Sequence, residues 1–302
     1  MNDKRDITRM TWKEIKSLPK EKTILFLTFA PVEEHGIHMP LGVDLILGER
    51  WKEQAIQILS EKNMDYTMLV MPPIPFAQGS VRGFPGNLYV KQRTIFKVAY
   101  ELLSSIVGWG IKNIIIIASH GDPKHLIAIE QACKKINRKY GICAISPMGA
   151  FFSHNELDID LNFDIRIKNC LDKYPNDFHA GWIETSAILD IDKTLVKSEY
   201  LNLSDIHVGE KEMIFPAKVS KKIANYGHIG FPRIAQKEIG LLLNKSTAEY
   251  ISNVSMAFVS REGYEKFQHH FLYRMPFMRV YFMRNLLISL GIFASVLASF
   301  LI

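Results

Sequence analysis

Four consecutive isoleucines, Ile114–Ile117, sit in the run Lys112-Asn-Ile-Ile-Ile-Ile-Ala118 and restrict this chain more than any other stretch. A β-branched run with no polar face suits a central parallel strand, covered by helices on both sides. Other short apolar runs read as strands: Ile24–Phe29, Met68–Met71 and Ile142–Ser146. Between them apolar residues recur at helical spacing, over Leu45 to Lys62 (Leu47, Trp51, Ala55, Ile58, Leu59), Lys91 to Val107 and Pro123 to Arg138. A short amphipathic helix, ended by Pro19, is expected from Thr11. Strand and helix in alternation predict right-handed crossovers and an α/β fold, three-layer α/β/α around a mostly parallel sheet.

In such sheets ligands bind beyond the carboxyl ends of the strands, and two polar clusters fall there. After Ile24–Phe29 comes Pro31-Val-Glu-Glu-His-Gly-Ile-His-Met-Pro-Leu-Gly-Val-Asp44. Glu33 and His35 leave one face of an extended segment, and Gly36, Pro40 and Gly42 allow a loop that folds Asp44 back towards them. An imidazole and two carboxylates so close together make a divalent site for Zn, Mn or Fe. The same residues also read as a solvated loop, with Asp44 as a helix cap. A second cluster, Ser119-His-Gly-Asp-Pro123, follows the isoleucine run and brings His120 and Asp122 to the same sheet edge. Two independent clusters favour the metal reading. A third, Phe178-His-Ala-Gly-Trp-Ile-Glu-Thr-Ser186, adds His179 and Glu184, although Glu184 also suits the first turn of a helix. The loop Pro73–Asn87 is long for a connection, and its glycines and prolines suggest fixed turns with a functional role.

With 302 residues, 48% of them hydrophobic, the chain can bury a full core. Of the formal charge of +6, half falls beyond Ala257, where Arg261, Lys266, Arg274, Arg279 and Arg284 face only Glu262 and Glu265. The rest is near balance, which gives no nucleic-acid footprint. Cys133, Cys143 and Cys170 form no CxxC pair and suit reduced thiols in a cytoplasmic setting. No secretory leader is expected, since Met-Asn-Asp-Lys-Arg-Asp is charged and no apolar run follows it. Residues 285–302 carry no charge; as a helix they would span roughly 27 Å, enough for a membrane anchor. A terminal core or oligomer-interface helix is the other reading.

The three clusters resemble the motifs of the creatininase (creatinine amidohydrolase) family. Its first motif, Glu-x-His-Gly-x-His-x-Pro-Leu-x-x-Asp, is matched by Glu33, His35, Gly36, His38, Pro40, Leu41 and Asp44. Its middle motif is matched by Ser80 and Phe84-Pro85-Gly86, and its His-Ala-Gly-x-x-Glu-Thr-Ser motif by His179 to Ser186. The resemblance covers residues 8 to 250. It implies a creatininase-like domain over residues 1–254, a basic and aromatic linker over 255–284 and the apolar helix of 285–302. It also implies two divalent metal ions: Glu33 and His120 bind one, His35 the other, and Asp44 bridges them. For the last ligand two alternatives stand, Asp122 at the place of a family glutamate, or Glu184. His179 matches a family histidine near the substrate, a candidate proton donor, and Gly79 and Ser80 are candidates for substrate binding.

The expectation is therefore a metal-dependent amidohydrolase. It would use an activated water on a C–N bond, other than a peptide bond, of a small amide or cyclic amide. His179, Asp122 or Glu184 would protonate the leaving nitrogen. The resemblance also implies a homo-oligomer, hexameric in the family. Creatinine itself is disfavoured, because the tryptophans that enclose it in the creatinine enzymes have no counterpart between His120 and His179. The alternative is a non-catalytic binding protein of this fold, tethered to a membrane by its tail; the altered loop Ser119–Pro123 supports it.

Overall fold

The computed structural model describes residues 4–62, 65–80, 83–209, 212 and 215–299, with the side chains of 216 and 293–299 left out. Five strands form one sheet: β1 (Lys4–Asp6), β2 (Thr23–Thr28), β3 (Thr67–Val70), β4 (Ile114–Ile117) and β5 (Ala144–Ile145). Their spatial order is β1-β3-β2-β4-β5 and every pair is parallel. Both β2 and β4 are buried along their whole length, as two central strands covered on both faces must be. They pair from Leu25↔Ile114 to Thr28↔Ile117.

Helices cover both faces. On one, α3 (Gln92–Gly108) packs on α4 (Pro123–Tyr140); on the other, α2 (Val43–Glu61), α7 (Trp182–Ile191) and α9 (Lys237–Ser260) pack together. The expected three-layer α/β/α architecture is what the chain forms. Shorter helices fill the intervals: α1 (Trp12–Ser17), α5 (Met148–Phe152), α6 (Ile165–Lys173) and α8 (Pro216–Ile223).

One buried amide ties the second layer together. Asn244 of α9 accepts from Trp51 Nε1 of α2 at 2.9 Å and donates to Ala187 O and Asp190 Oδ2 of α7. A fully satisfied polar group of this kind fixes one packing among the alternatives a greasy interface would tolerate. Close approach of α2 to the sheet is equally specific: a Cβ on Gly48 would stand 2.3 Å from Ser119 Oγ and 2.6 Å from Thr28 Cγ2.

Helix α9 carries the chain through residue 254 to Ser260. After it, residues 265–278 form three 3₁₀ turns, burying Tyr264, Tyr273 and Val280. The apolar tail reads differently from expectation. Its described part is α10 (Phe282–Ser299), which starts before the uncharged run and so includes Arg284. Residues 300–302 lie outside the described residues. Among the described residues no helix is long and apolar enough to cross a membrane, so the expected anchor finds no support.

Gly48→Ala should force α2 off the sheet and lower stability by about 1–3 kcal/mol. Urea unfolding of the two proteins side by side checks this, and an unchanged midpoint would contradict the packing described.

Candidate metal centre

The cleft lies where β2 and β4 end side by side. From β2 the chain passes through α2 to β3 on one flank, and from β4 through α4 to β5 on the other. The crossovers therefore diverge, leaving a crevice at the strand ends.

The loop after β2 is closed by its own backbone. The Glu33 amide donates to Leu41 O at 2.8 Å, and the Leu88 amide donates to Val32 O at 2.9 Å. Gly36 has φ +70°, and a Cβ there would lie 2.7 Å from His38 Nδ1, so this turn needs glycine. Gly86 lies against the loop from outside, since a Cβ there would meet Leu41 Cδ1 at 2.4 Å. The chain then enters α2 with Gly42 as N-cap, so Asp44 stands in the first turn. Asp44 is thus not the cap that its position also suggested, and its side chain is buried (2% exposed).

Two groups of ligand-bearing side chains result. Glu33, Asp44 and His120 bring their ligand atoms within 4.8 Å of one another, all three residues buried. Here His120 Nδ1 lies 3.1 Å from Glu33 Oε2 and 3.2 Å from Asp44 Oδ2. The second group is His35, His179 and Glu184. His35 Nε2 lies 3.6 Å from Asp44 Oδ1 and 3.7 Å from Glu184 Oε2. Asp44 therefore turns one oxygen towards each group.

Hydrogen bonds outside the groups set the imidazole tautomers. His35 Nδ1 lies 3.0 Å from Glu33 O, and His179 Nε2 lies 2.8 Å from Glu34 O. A carbonyl oxygen only accepts, so these nitrogens carry protons, and in the neutral ring the opposite ones bear the lone pairs. For His35 that opposite nitrogen is the one facing the carboxylates. His38 supports the loop rather than joining either group, with Nε2 2.9 Å from Thr185 Oγ1.

Glu33 Oε2, Asp44 Oδ2, His35 Nε2 and His120 Nε2 are all buried without a hydrogen-bond partner. Orphaned buried polar atoms cost about 1–3 kcal/mol each. Carboxylate and imidazole donors converging in this way fit a divalent cation of the Zn, Mn or Fe kind.

The charges act on one another strongly. Burial would push His35 down, but Asp44, Glu184 and Glu33 raise it to about 10. Burial likewise opposes, and Glu33, Asp44 and Asp122 overcome, for His120, also raised to about 10. His179 rises to about 9: burial and the His35 charge resist, while Glu34 and Glu33 prevail. Burial raises Glu33. Asp44 is held well below the usual carboxylate range, because His35 and His120 outweigh its burial. His38 stays neutral, pushed down to about 4 by burial and by its histidine neighbours.

Of the two alternatives for the last ligand, Glu184 groups with His35, and both oxygens of Asp122 have hydrogen-bond partners elsewhere. The Asp122 Oδ1 accepts from the amides of Lys124 (2.8 Å) and His125 (3.3 Å), capping α4 with Pro123 in its first turn. Its Oδ2 accepts from the Ser80 hydroxyl. Ser80, expected at the substrate, thus holds the loop to α4. Gly79 underlies the ring of Tyr89, where a Cβ would come within 2.1 Å. Glu184 is indeed in the first turn of its helix and also accepts from the Ala180 amide at 2.6 Å. His179, expected as a proton donor, lies beside His35, ring centroids 4.6 Å apart. Sequence reasoning missed Glu34 and Tyr89, for which no spacing signal exists.

The sequence profile of the creatininase family, described as creatinine amidohydrolase, matches residues 8–254. Among curated proteins nothing matches. Among solved structures, one from Bacteroides fragilis NCTC 9343, provisionally assigned as a creatinine amidohydrolase, is 19% identical with TM-score 0.63, covering 88% of this chain and all of that one. A creatinine amidohydrolase (creatininase) is 16% identical with TM-score 0.65, over 84% of this chain and 97% of its own. A structure titled "Creatininase Mn" is 17% identical with TM-score 0.63, over 82% and 96%.

Two outcomes follow from the geometry. As a cap, Asp122 should tolerate Asn and not Ala: Asp122→Ala should cost about 1 kcal/mol in thermal unfolding and Asp122→Asn much less, neither variant losing bound metal. Equal metal loss in both would restore Asp122 as a ligand. Secondly, His35 and His120 are raised above the ordinary value of about 6.5, so the metal-free protein holds these protons at neutral pH. The stability they contribute is complete below about 6.5 and is lost as pH rises through about 10. Metal uptake must displace the protons, so calorimetry of Zn²⁺ binding in buffers of different ionisation enthalpy should show net proton release and affinity that tightens with pH.

Proposed function

The chain belongs to the creatininase family, and from that premise we propose that it is a metal-dependent amidohydrolase. Its bond is a C–N bond, other than a peptide bond, in a small amide or cyclic amide. The observation that carries this reading is Asp44 offering one oxygen to each of two ligand groups. Glu33, Asp44 and His120 would hold one divalent ion, and His35, His179 and Glu184 with Asp44 a second. Such ions, when bound, supply charge that acidifies water towards neutral pH and polarises a carbonyl.

The chain's own residues do the rest. The hydrogen bonds from His35 to Glu33 O and from His179 to Glu34 O hold both rings, as partners outside a metal site do in general. Asp122 is committed to α4 and to Ser80, and His179 and Glu184 serve this reading as ligands, so the leaving nitrogen takes its proton from the attacking water. Creatinine is not the substrate proposed, since no tryptophan lies between His120 and His179. The family likeness also supports a homo-oligomer.

Elemental analysis of protein purified without chelator should find about two Zn, Mn or Fe ions per chain. Glu33→Gln should lower that content and abolish hydrolysis in a screen of small amides. Metal at background in both proteins would sink the hydrolase reading in favour of a non-catalytic member of the fold.

A further inference from the structure

Asp177 belongs to neither ligand group, yet its carboxylate holds the segment that carries His179 and Glu184. Its Oδ1 accepts from the amides of Trp182 at 3.0 Å and Phe231 at 2.9 Å, and its Oδ2 accepts from the Ile183 amide at 2.9 Å. Trp182 and Ile183 open α7, whose Gly181 N-cap has no side chain to satisfy their amides. Asp177 supplies that acceptor and ties the helix start to the segment 229–231. Two glycines make the space for it: a Cβ on Gly181 would lie 1.9 Å from Asp177 Oδ1, and one on Gly230 would lie 2.0 Å from the same oxygen. Backbone from both segments is thus moulded around one carboxylate.

Both ligands hang from this clamp. His179 and Ile229 exchange two backbone hydrogen bonds, at 3.2 and 2.7 Å, which sets His179 in register with Gly230 and Phe231. Ala180, the next residue, is left-handed at φ +49°, a conformation that is costly for a residue with a Cβ and persists only where the surroundings impose it. From there its amide donates to Glu184 Oε2 at 2.6 Å, and that same oxygen lies 3.7 Å from His35 Nε2. One turn therefore aims the ring and the carboxylate, and Asp177 joins its two ends. The other group, Glu33, Asp44 and His120, is delivered instead by the ends of β2 and β4 and the first turn of α2.

We infer, on the metal-centre reading above, that Asp177 is a positioning residue for one of the two ions. Its carboxylate sets the turn of residues 179–184 so that His179 and Glu184 can take an ion together with His35, while the ion of Glu33, Asp44 and His120 does not depend on it. Groups that hold metal ligands from behind carry about 10–100-fold of metal affinity. Asp177 acts through three backbone amides rather than through a ligand atom, so its loss changes where the ligands point and leaves their chemistry intact.

The test titrates Mn²⁺ into wild type, Asp177→Ala, Asp177→Asn and Asn244→Ala, the last as a control that loosens α7 from its other end. Calorimetry reads the two binding constants, and electron paramagnetic resonance tells a coupled pair of ions from an isolated one. Asp177→Ala should weaken one ion about 100-fold, leave the other unchanged and replace the coupled signal by that of an isolated ion. Asp177→Asn keeps the Oδ1 acceptor for Trp182 and Phe231, so it should weaken the same ion only about tenfold. Asn244→Ala should keep both ions and the coupled signal. Equal weakening of both ions in Asp177→Ala, or loss of one ion from Asn244→Ala as well, would overturn the role and make Asp177 a residue of general stability. If Asp177→Ala does not fold, Asp177→Asn decides: wild-type affinity for both ions in it overturns the role and leaves the metal centre standing. A wild type that never takes up two ions would remove the metal-centre reading and this role with it.

Discussion

Burying carboxylates and imidazoles together is the constraint on which the rest of this structure depends. Glu33, His35 and Asp44 are each at most 2% exposed, and His120 is 8% exposed. An isolated ion in such a place costs several kcal/mol, so each charge has to be placed against its opposite or against a cation. The fold meets that demand with rigid ends rather than flexible loops. Two strands deliver Glu33, His35 and His120, while two helix N-termini deliver Asp44 and Glu184. Both carboxylates stand in first turns, where unpaired backbone amides favour negative charge. The Ser119 hydroxyl then donates to Asp44 O at 2.7 Å, linking the loop after β4 directly to the start of α2.

This arrangement explains which parts were legible in the sequence. Ile114–Ile117 and Ile24–Phe29 read as central strands because burial on both faces leaves no polar position. The clusters after them read as a site because strand ends in a parallel sheet point to one edge. β1 was not legible: Lys4-Arg5-Asp6 is wholly charged, and it pairs with β3 as an edge strand, where one side faces solvent. Asp122 was ambiguous because an Asp before Pro signals a helix N-cap as well as a ligand, and its bond to the Ser80 hydroxyl is a tertiary contact that no spacing within residues 119–123 reveals. The tail read as a span from the absence of charge over 285–302; its helix begins earlier, at Phe282, and takes in Arg284.

The segment beyond residue 254 is attached to the site's own scaffold. Glu130 lies inside α4, the helix that follows His120, and its buried Oε1 accepts from the His270 amide at 2.9 Å. Gly149 makes room for it, since a Cβ there would meet Oε1 at 1.8 Å. Ser153 Oγ and Gln131 Oε1 accept from the amides of Phe271 and Val280. His269 stacks on Tyr273, centroids 3.8 Å apart, and lies 3.7 Å from Glu130 Oε2. Backbone donors satisfied by buried side chains hold a segment without regular structure in one place. The two adjacent histidines divide the work, His270 supplying the amide and His269 the ring.

Glu34 shows why a motif that reads as local is a tertiary object. Its amide donates to Asn87 Oδ1 at 2.7 Å, its carbonyl accepts from His179, and its Oε2 accepts from the Gly36 amide at 3.0 Å. Gly227 closes on the same carboxylate, where a Cβ would lie 2.2 Å from Oε2. A single residue between two metal-facing ones therefore touches, through its amide, carbonyl and carboxylate, the loop before α3, the segment before α7 and the segment after α8. Movement in any of the three reaches Glu33 and His35 through one peptide unit on either side. Substitutions at Asn87 or Gly227 would thus act on the ligand groups without contacting them, and no spacing rule within residues 31–44 could reveal that dependence.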